Sequence, residues 1–163
     1  MPSLPFTLNN LSLLHEASLL NGDWIQAKSG KCFDVEGKPN LWFLDTKNRT
    51  PANDVEDINQ FIKTSQAAFD KFHYVNPRVK ASLLLKWHEL IKSARQDIAT
   101  LICYKTGKPM AEALGEVDYA LGFAWWFAGE SERIRGTIAQ PSVSSRRTFT
   151  LKQPIGICVA LMP

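Results

Sequence analysis

Apolar positions along this chain fall into three regimes, each predicting a different element. Residues 21 to 35, NGDWIQAKSGKCFDV, place Trp24 and Ile25 before Ser29-Gly30, with Cys32, Phe33 and Val35 after it, predicting two short strands around that turn. The apolar piece at 41 to 44, LWFL, lies between Lys38-Pro39-Asn40 and Asp45 and reads as another strand. Helical spacing then takes over. Thr50-Pro51 supplies an N-cap and a first-turn proline, and Asp54, Glu56 and Asp57 suit the positive end of the helix dipole. Val55, Ile58, Ile62, Phe69 and Phe72 give this helix one apolar side.

Asn76-Pro77 repeats the start signal. The second helix carries Leu84, Trp87, Ile91, Ala94, Ile98, Leu101 and Ile102 on its expected buried side. Thr106-Gly107-Lys108-Pro109 ends it, Gly107 being free to take a left-handed cap and Pro109 barring continuation. The earlier glycine of a phosphate loop is missing before Gly107-Lys108, so the cap reading stands. A third helix is predicted from about Ala111 to Arg135, ending at Gly136. Tyr119, Phe123 and Trp126 share one of its sides, while Trp125 and Phe127 point elsewhere, which calls for cover on more than one side.

The last regime is strand-like. Residues 147 to 153 alternate, Phe149 and Leu151 against Thr148, Thr150 and Lys152, as a half-exposed strand does. After Pro154, Ile155 to Met162 is nearly continuous apolar sequence, the pattern of a strand buried on both faces in a parallel sheet flanked by helices. Such a sheet needs further strands, so the implied core is larger than this sequence. The uncharged run Ile157 to Met162 is also an aggregation hazard if left exposed.

Composition narrows the function classes. At 163 residues, 45% hydrophobic and 21% charged, the chain has the balance of a folded protein rather than a disordered one. The net charge of +3 is scattered, which argues against a nucleic-acid partner. Cys32, Cys103 and Cys158 lack paired spacing, and we read them as buried reduced thiols. His15, His73 and His88 show no ligand spacing, so no metal site is expected, and His88 reads as a helix-surface residue. Residues 1 to 20 contain no Lys or Arg and read as a leader that is neither a secretory nor a mitochondrial signal. No apolar stretch is long enough for a bilayer. A cytoplasmic location is expected, and the glycosylation pattern at Asn48-Arg49-Thr50 is read as chance.

Several segments together resemble the aldehyde dehydrogenase superfamily: LNGDW with SGKCFDV, then KTGKPMAEALGEVDYALGFAWWFAGESERIRG, then TFTLKQPIGICVALMP. The succinate-semialdehyde dehydrogenase branch is the nearest in pattern. The resemblance implies an α/β fold in which residues 21 to 163 form part of the N-terminal coenzyme-binding domain. That part holds the first strands, three helices, an oligomerisation-arm strand at 147 to 153, and the first Rossmann-like strand of an incomplete sheet.

The family reaction oxidises an aldehyde to a carboxylic acid, for succinate semialdehyde as part of 4-aminobutyrate degradation. A thiolate attacks the aldehyde, donors stabilise the oxyanion, hydride leaves for NAD or NADP, and a base-activated water hydrolyses the thioester. The resemblance places the nucleophilic Cys, the base Glu and the oxyanion Asn beyond Pro163, so no catalytic residue is assigned. Cys103 reads as a helix-core residue and Cys158 as part of the buried strand, and neither has the nucleophile's local sequence. Leu161, Met162 and Pro163 match part of the cofactor-binding wall. Phe123, Trp126 and Phe127 match a wall of the substrate tunnel. Lys105, Trp125 and Arg135 depart from the residues usual in the family.

The expectation is therefore a truncated homologue, inactive alone and binding neither NAD nor NADP by itself. The alternative is an interaction or regulatory fragment that pairs with a full-length aldehyde dehydrogenase, or with itself, through its strand edges.

Overall fold

The structure is a computed structural model of the whole chain and describes residues 6–35 and 48–161. The LWFL segment at 41–44 and the residues Met162 and Pro163 lie outside the described residues. The order is a 3-10 turn at Leu11–Leu13, β1 (Ser18–Leu20), β2 (Asp23–Ile25), β3 (Cys32–Val35), β4 (Asn48–Pro51), α1 (Val55–Phe72), α2 (Pro77–Ser93), α3 (Arg95–Thr106), α4 (Met110–Glu130), β5 (Ile138–Ala139) and β6 (Thr148–Phe149).

The strands form three separate antiparallel pairs, β1–β2, β3–β4 and β5–β6. The two short strands expected around Ser29-Gly30 are β2 and β3, and each pairs with a different neighbour. Trp24 pairs with Leu19, and Cys32 and Phe33 pair with Pro51 and Thr50. The β1–β2 connection is Asn21-Gly22, both with positive φ, the geometry a two-residue hairpin turn requires. Ser29-Gly30 still turns the chain, Gly30 donating its N–H to the Ala27 carbonyl at 2.8 Å, but it links two different ribbons.

Helix boundaries follow cap chemistry. Thr50-Pro51 does not open α1, because those residues belong to β4. The cap is Asp54, whose carboxylate accepts the N–H groups of Glu56 (2.9 Å) and Asp57 (3.3 Å). Asp57 returns the favour by accepting the Asp54 N–H at 3.1 Å, completing a capping box. Asn76-Pro77 opens α2 as predicted, the Asn76 side chain accepting the Arg78 N–H at 2.9 Å.

The long second helix is two helices, broken at Ala94, whose backbone (φ −95°, ψ 8°) leaves the α region. Gly107 closes α3 with φ 74°, its N–H bonded to the Cys103 carbonyl at 2.8 Å, as the cap reading required. The last helix stops at Glu130 rather than near Arg135. Gly136 has a different reason to be glycine: a Cβ there would overlap the Thr150 carbonyl across the β5–β6 ribbon.

The core lies between helices. Ala99 of α3 packs with Ala113, Val117 and Leu121 of α4, joined by Ile91, Ile98, Ile102, Cys103 and Leu114. Alanines at the centre of this contact are ringed by the larger Ile and Leu side chains. Other expected core faces are uncovered. Val55 is 75% exposed, and Ile58, Ile62, Phe72 and Trp87 are about half exposed. Residues 155 to 161 form no strand, and Ile155 is 91% exposed. A central strand exists only with neighbours to complete its ladder; here none is paired with it, so the expected buried strand is an extended tail. Cys158 is consequently exposed rather than buried.

Residues 6 to 20 pack against the rest of the described chain. Leu8 is buried, Phe6 meets Tyr104 edge-on at 4.8 Å, and β1 belongs to the first ribbon. Asp97, 3% exposed, anchors this segment to α3. The Asn9 N–H (3.0 Å) and side-chain amide (2.9 Å) donate to its Oδ1, and the Asn10 N–H donates to its Oδ2 at 2.9 Å.

Candidate functional site

The most distinctive side chains lie on α4, which has two unlike sides. Ala113, Val117, Leu121, Ala124 and Ala128 recur at three- and four-residue spacing and are buried. Tyr119, Phe123 and Trp126 lie on the opposite side, with Phe127 one turn beyond Phe123, and all four are exposed. Tyr119 and Phe123 meet edge-to-face at 4.8 Å, a favourable ring geometry on an otherwise open surface. Trp125 borders the packed side and is exposed as well. The expected cover on more than one side is thus present on one side only.

Ion pairs fix the helix in place. Arg95, at the start of α3, holds Asp118 of α4 in a two-pronged pair with both distances 2.6 Å. Arg78, in the first turn of α2, grips Glu132 just beyond α4 at 2.8 and 3.2 Å. Lys108 in the preceding loop pairs with Glu116. Hydrogen bonding to the partner raises the basicity of Arg78, Arg95 and Lys108, and holds the Asp118 and Glu132 carboxyls below the usual carboxylate range. These charges are partly exposed, so they orient α4 more than they stabilise it. Sequence reading missed these pairs and the Asp97 anchor. The available signal was a charged cluster, Arg95 and Asp97, directly after a break that the periodicity did not reveal.

The predicted site residues that the structure describes are all exposed. Phe123, Trp126 and Phe127 share the open side of α4, whereas Leu161 stands 93% exposed in the tail. Cys103 sits at the edge of the helical core, as expected, and the three cysteines are free. Among the described residues no group of His, Cys, Asp and Glu could hold a metal ion, and no helix is long and apolar enough to cross a membrane. A dinucleotide needs a backbone cradle for its phosphates at a helix start. Among the described residues, Gly107-Lys108 is spent on a helix cap, and the shallow groove of Lys28, Glu56, Asn59, Gln60 and Lys63 is open and mixed in charge.

The aldehyde dehydrogenase family pattern matches residues 42–163, three quarters of the chain. The chain belongs to the aldehyde dehydrogenase family. It is 31% identical over 156 residues to the NADP(+) succinate-semialdehyde dehydrogenase of Escherichia coli, covering 96% of this chain and 32% of that one. With a Schizosaccharomyces pombe succinate-semialdehyde dehydrogenase the identity is 36%, over 90% of this chain and 29% of the relative.

The structure of the Burkholderia pseudomallei succinate-semialdehyde dehydrogenase superposes with a TM-score of 0.84 at 28% identity, covering 94% of this chain and 31% of that one. The fold is thus the α/β arrangement of an aldehyde dehydrogenase, represented by helices and small incomplete sheets. The chain spans about a third of the length of the relatives it matches.

Proposed function

We propose that these residues supply the first part of the coenzyme-binding domain of an NAD(P)-dependent semialdehyde dehydrogenase and are, by themselves, a catalytically inert scaffold. The observation that supports this reading is a specific aldehyde dehydrogenase fold whose described candidate site residues are all exposed. Phe123, Trp126 and Phe127 face solvent on α4, and Leu161 is in an unpaired tail. Succinate-semialdehyde dehydrogenases among the relatives favour a short semialdehyde with a carboxylate as the substrate of the complete site. Three free thiols fit a reducing, cytoplasmic setting.

The chain alone binds neither NAD+ nor NADP+. Titration of either nucleotide, followed by calorimetry, is expected to give no saturable heat, and a saturable isotherm would contradict the scaffold reading.

A second reading has its own observation. Ile138, Phe149 and Leu151 are exposed along the short β5–β6 ribbon, and backbone groups at its edge are open to pairing. Through that edge the chain would join a full-length aldehyde dehydrogenase or a copy of itself. Co-elution with an intact relative favours this reading, and a chain that stays monomeric in its presence opposes it.

A further inference from the structure

Asn21-Gly22, the turn between β1 and β2, leaves a reactive pair of groups open to solvent. Both residues have positive φ, 52° and 92°, and both are exposed. A two-residue turn pairs its flanking residues, here Leu20 and Asp23, and leaves the central glycine N–H outside the ladder. Among the described residues neither the Asn21 side chain nor the Gly22 N–H has a hydrogen-bond partner. A Cβ built on Gly22 would meet nothing within 4 Å, so no neighbouring atom screens its nitrogen.

The other asparagines are placed differently. None of them precedes a glycine in the sequence. Asn9 donates its amide to Asp97 at 2.9 Å, and Asn53 donates to the Ser18 hydroxyl at 2.9 Å. Asn10 and Asn76 accept the backbone N–H groups of Ser12 at 3.0 Å and Arg78 at 2.9 Å. Asparagine amides are chemically labile side chains, and the one at Asn21 is free and next to an unhindered nitrogen.

We propose that Asn21 is a self-modification site, at which the Gly22 nitrogen converts the side-chain amide to a cyclic imide and then to an acid. The nitrogen attacks the Asn21 Cγ, so an N–Cγ bond forms. The Cγ–amine bond breaks, and the Gly22 proton leaves with the amine as ammonia. Solvent water then opens the imide at either carbonyl. Cleavage at Cγ gives aspartate, and cleavage at the main-chain carbonyl gives isoaspartate, with no oxidant or reductant consumed.

The two products have opposite consequences. Aspartate is at home in the left-handed region and in hairpin turns, so it keeps Leu20 opposite Asp23. Isoaspartate routes the main chain through the side chain and adds a methylene to a turn that has only two residues. The register is then lost, and with it the stack of Trp24 on His15, whose ring centroids lie 3.6 Å apart at 10°. Ageing at this one turn therefore opens the first ribbon.

The test keeps the purified chain in warm, mildly alkaline buffer and follows the tryptic peptide ending at Lys28 by fragmentation mass spectrometry. Isoaspartate is scored by enzymatic methyl-ester labelling. The mass gain of amide-to-acid conversion should appear at Asn21 before any other asparagine, with isoaspartate labelling alongside, and both should be lost in N21Q. The folded chain should convert as readily as the chain in urea. An Asn21 that stays intact in the folded chain while it converts in urea overturns the proposal, and so does faster conversion elsewhere. In NMR spectra the ring-current shift of His15 should persist in N21D and fade in the aged chain in step with its isoaspartate content. An isoaspartate-rich chain that keeps the shift overturns the ribbon opening.

Discussion

At the scale of single residues, two buried carboxylates do more than their positions in the sequence suggest. Asp57 accepts the N–H groups of Asp54 and Lys28, and Asp97 accepts those of Asn9 and Asn10 together with the Asn9 amide. Backbone hydrogen bonds hold both groups below the usual carboxylate range, the Asp54 bond foremost for Asp57 and the Asn9 bond foremost for Asp97. A carboxyl depressed in the folded state adds stability above its unfolded value, and that stability is lost as pH falls through the folded value. Acid unfolding should therefore begin below about pH 4. The D97N variant should melt several degrees lower at neutral pH and show a weaker acid dependence. Circular dichroism melts across pH check this, and an unchanged acid profile would remove Asp97 from the account. Gly107, with φ 74°, is a second sensitive position. G107A should cost about 1–2 kcal/mol, measured by urea unfolding, because a Cβ is strained in the left-handed region.

At the scale of elements, the two sides of α4 predict opposite responses to substitution. L121A removes a side chain that is 7% exposed in the helical core and should cost about 2–5 kcal/mol. W126A removes a larger side chain from the open side and should change the isolated chain's stability by no more than about 0.5 kcal/mol. Equal losses from the two would mean that the aromatic side is covered after all. The elements also show where sequence reading stops. Asn76-Pro77 and Gly107 carry their chemistry locally, so the α2 start and the α3 end were legible. The Asp54 capping box was hidden by a stronger-looking Thr50-Pro51 signal, which β3 captures as its strand partner. The Ala94 break carries no glycine or proline, so a continuous apolar stripe masked it. Ile155 to Met162 has the composition of a buried strand, but strand formation is a property of the neighbours as much as of the segment.

At the scale of the whole molecule, the unusual feature is how much apolar pattern goes unused. Periodicity correctly marked helices whose inner faces, such as Ile58 and Ile62 or Phe123 and Trp126, are then left exposed. The aldehyde dehydrogenase pattern was legible because TGKP, the α4 sequence and QPIG survive as local motifs. The candidate site residues on α4 and in the tail were read from the family resemblance alone, because apolar and aromatic side chains carry no chemistry that marks them locally as a site. Exposed apolar surface of this extent should also make the isolated chain poorly soluble. Light scattering should show concentration-dependent association, relieved by W126S or F123S, and clean monodisperse behaviour would argue against open faces. We propose a scaffold without chemistry of its own. Its most direct test is NAD(P)H formation when the purified chain meets succinate semialdehyde and NAD+ or NADP+. No absorbance change above the chain-free control is expected, and steady turnover that scales with chain concentration would overturn the scaffold reading.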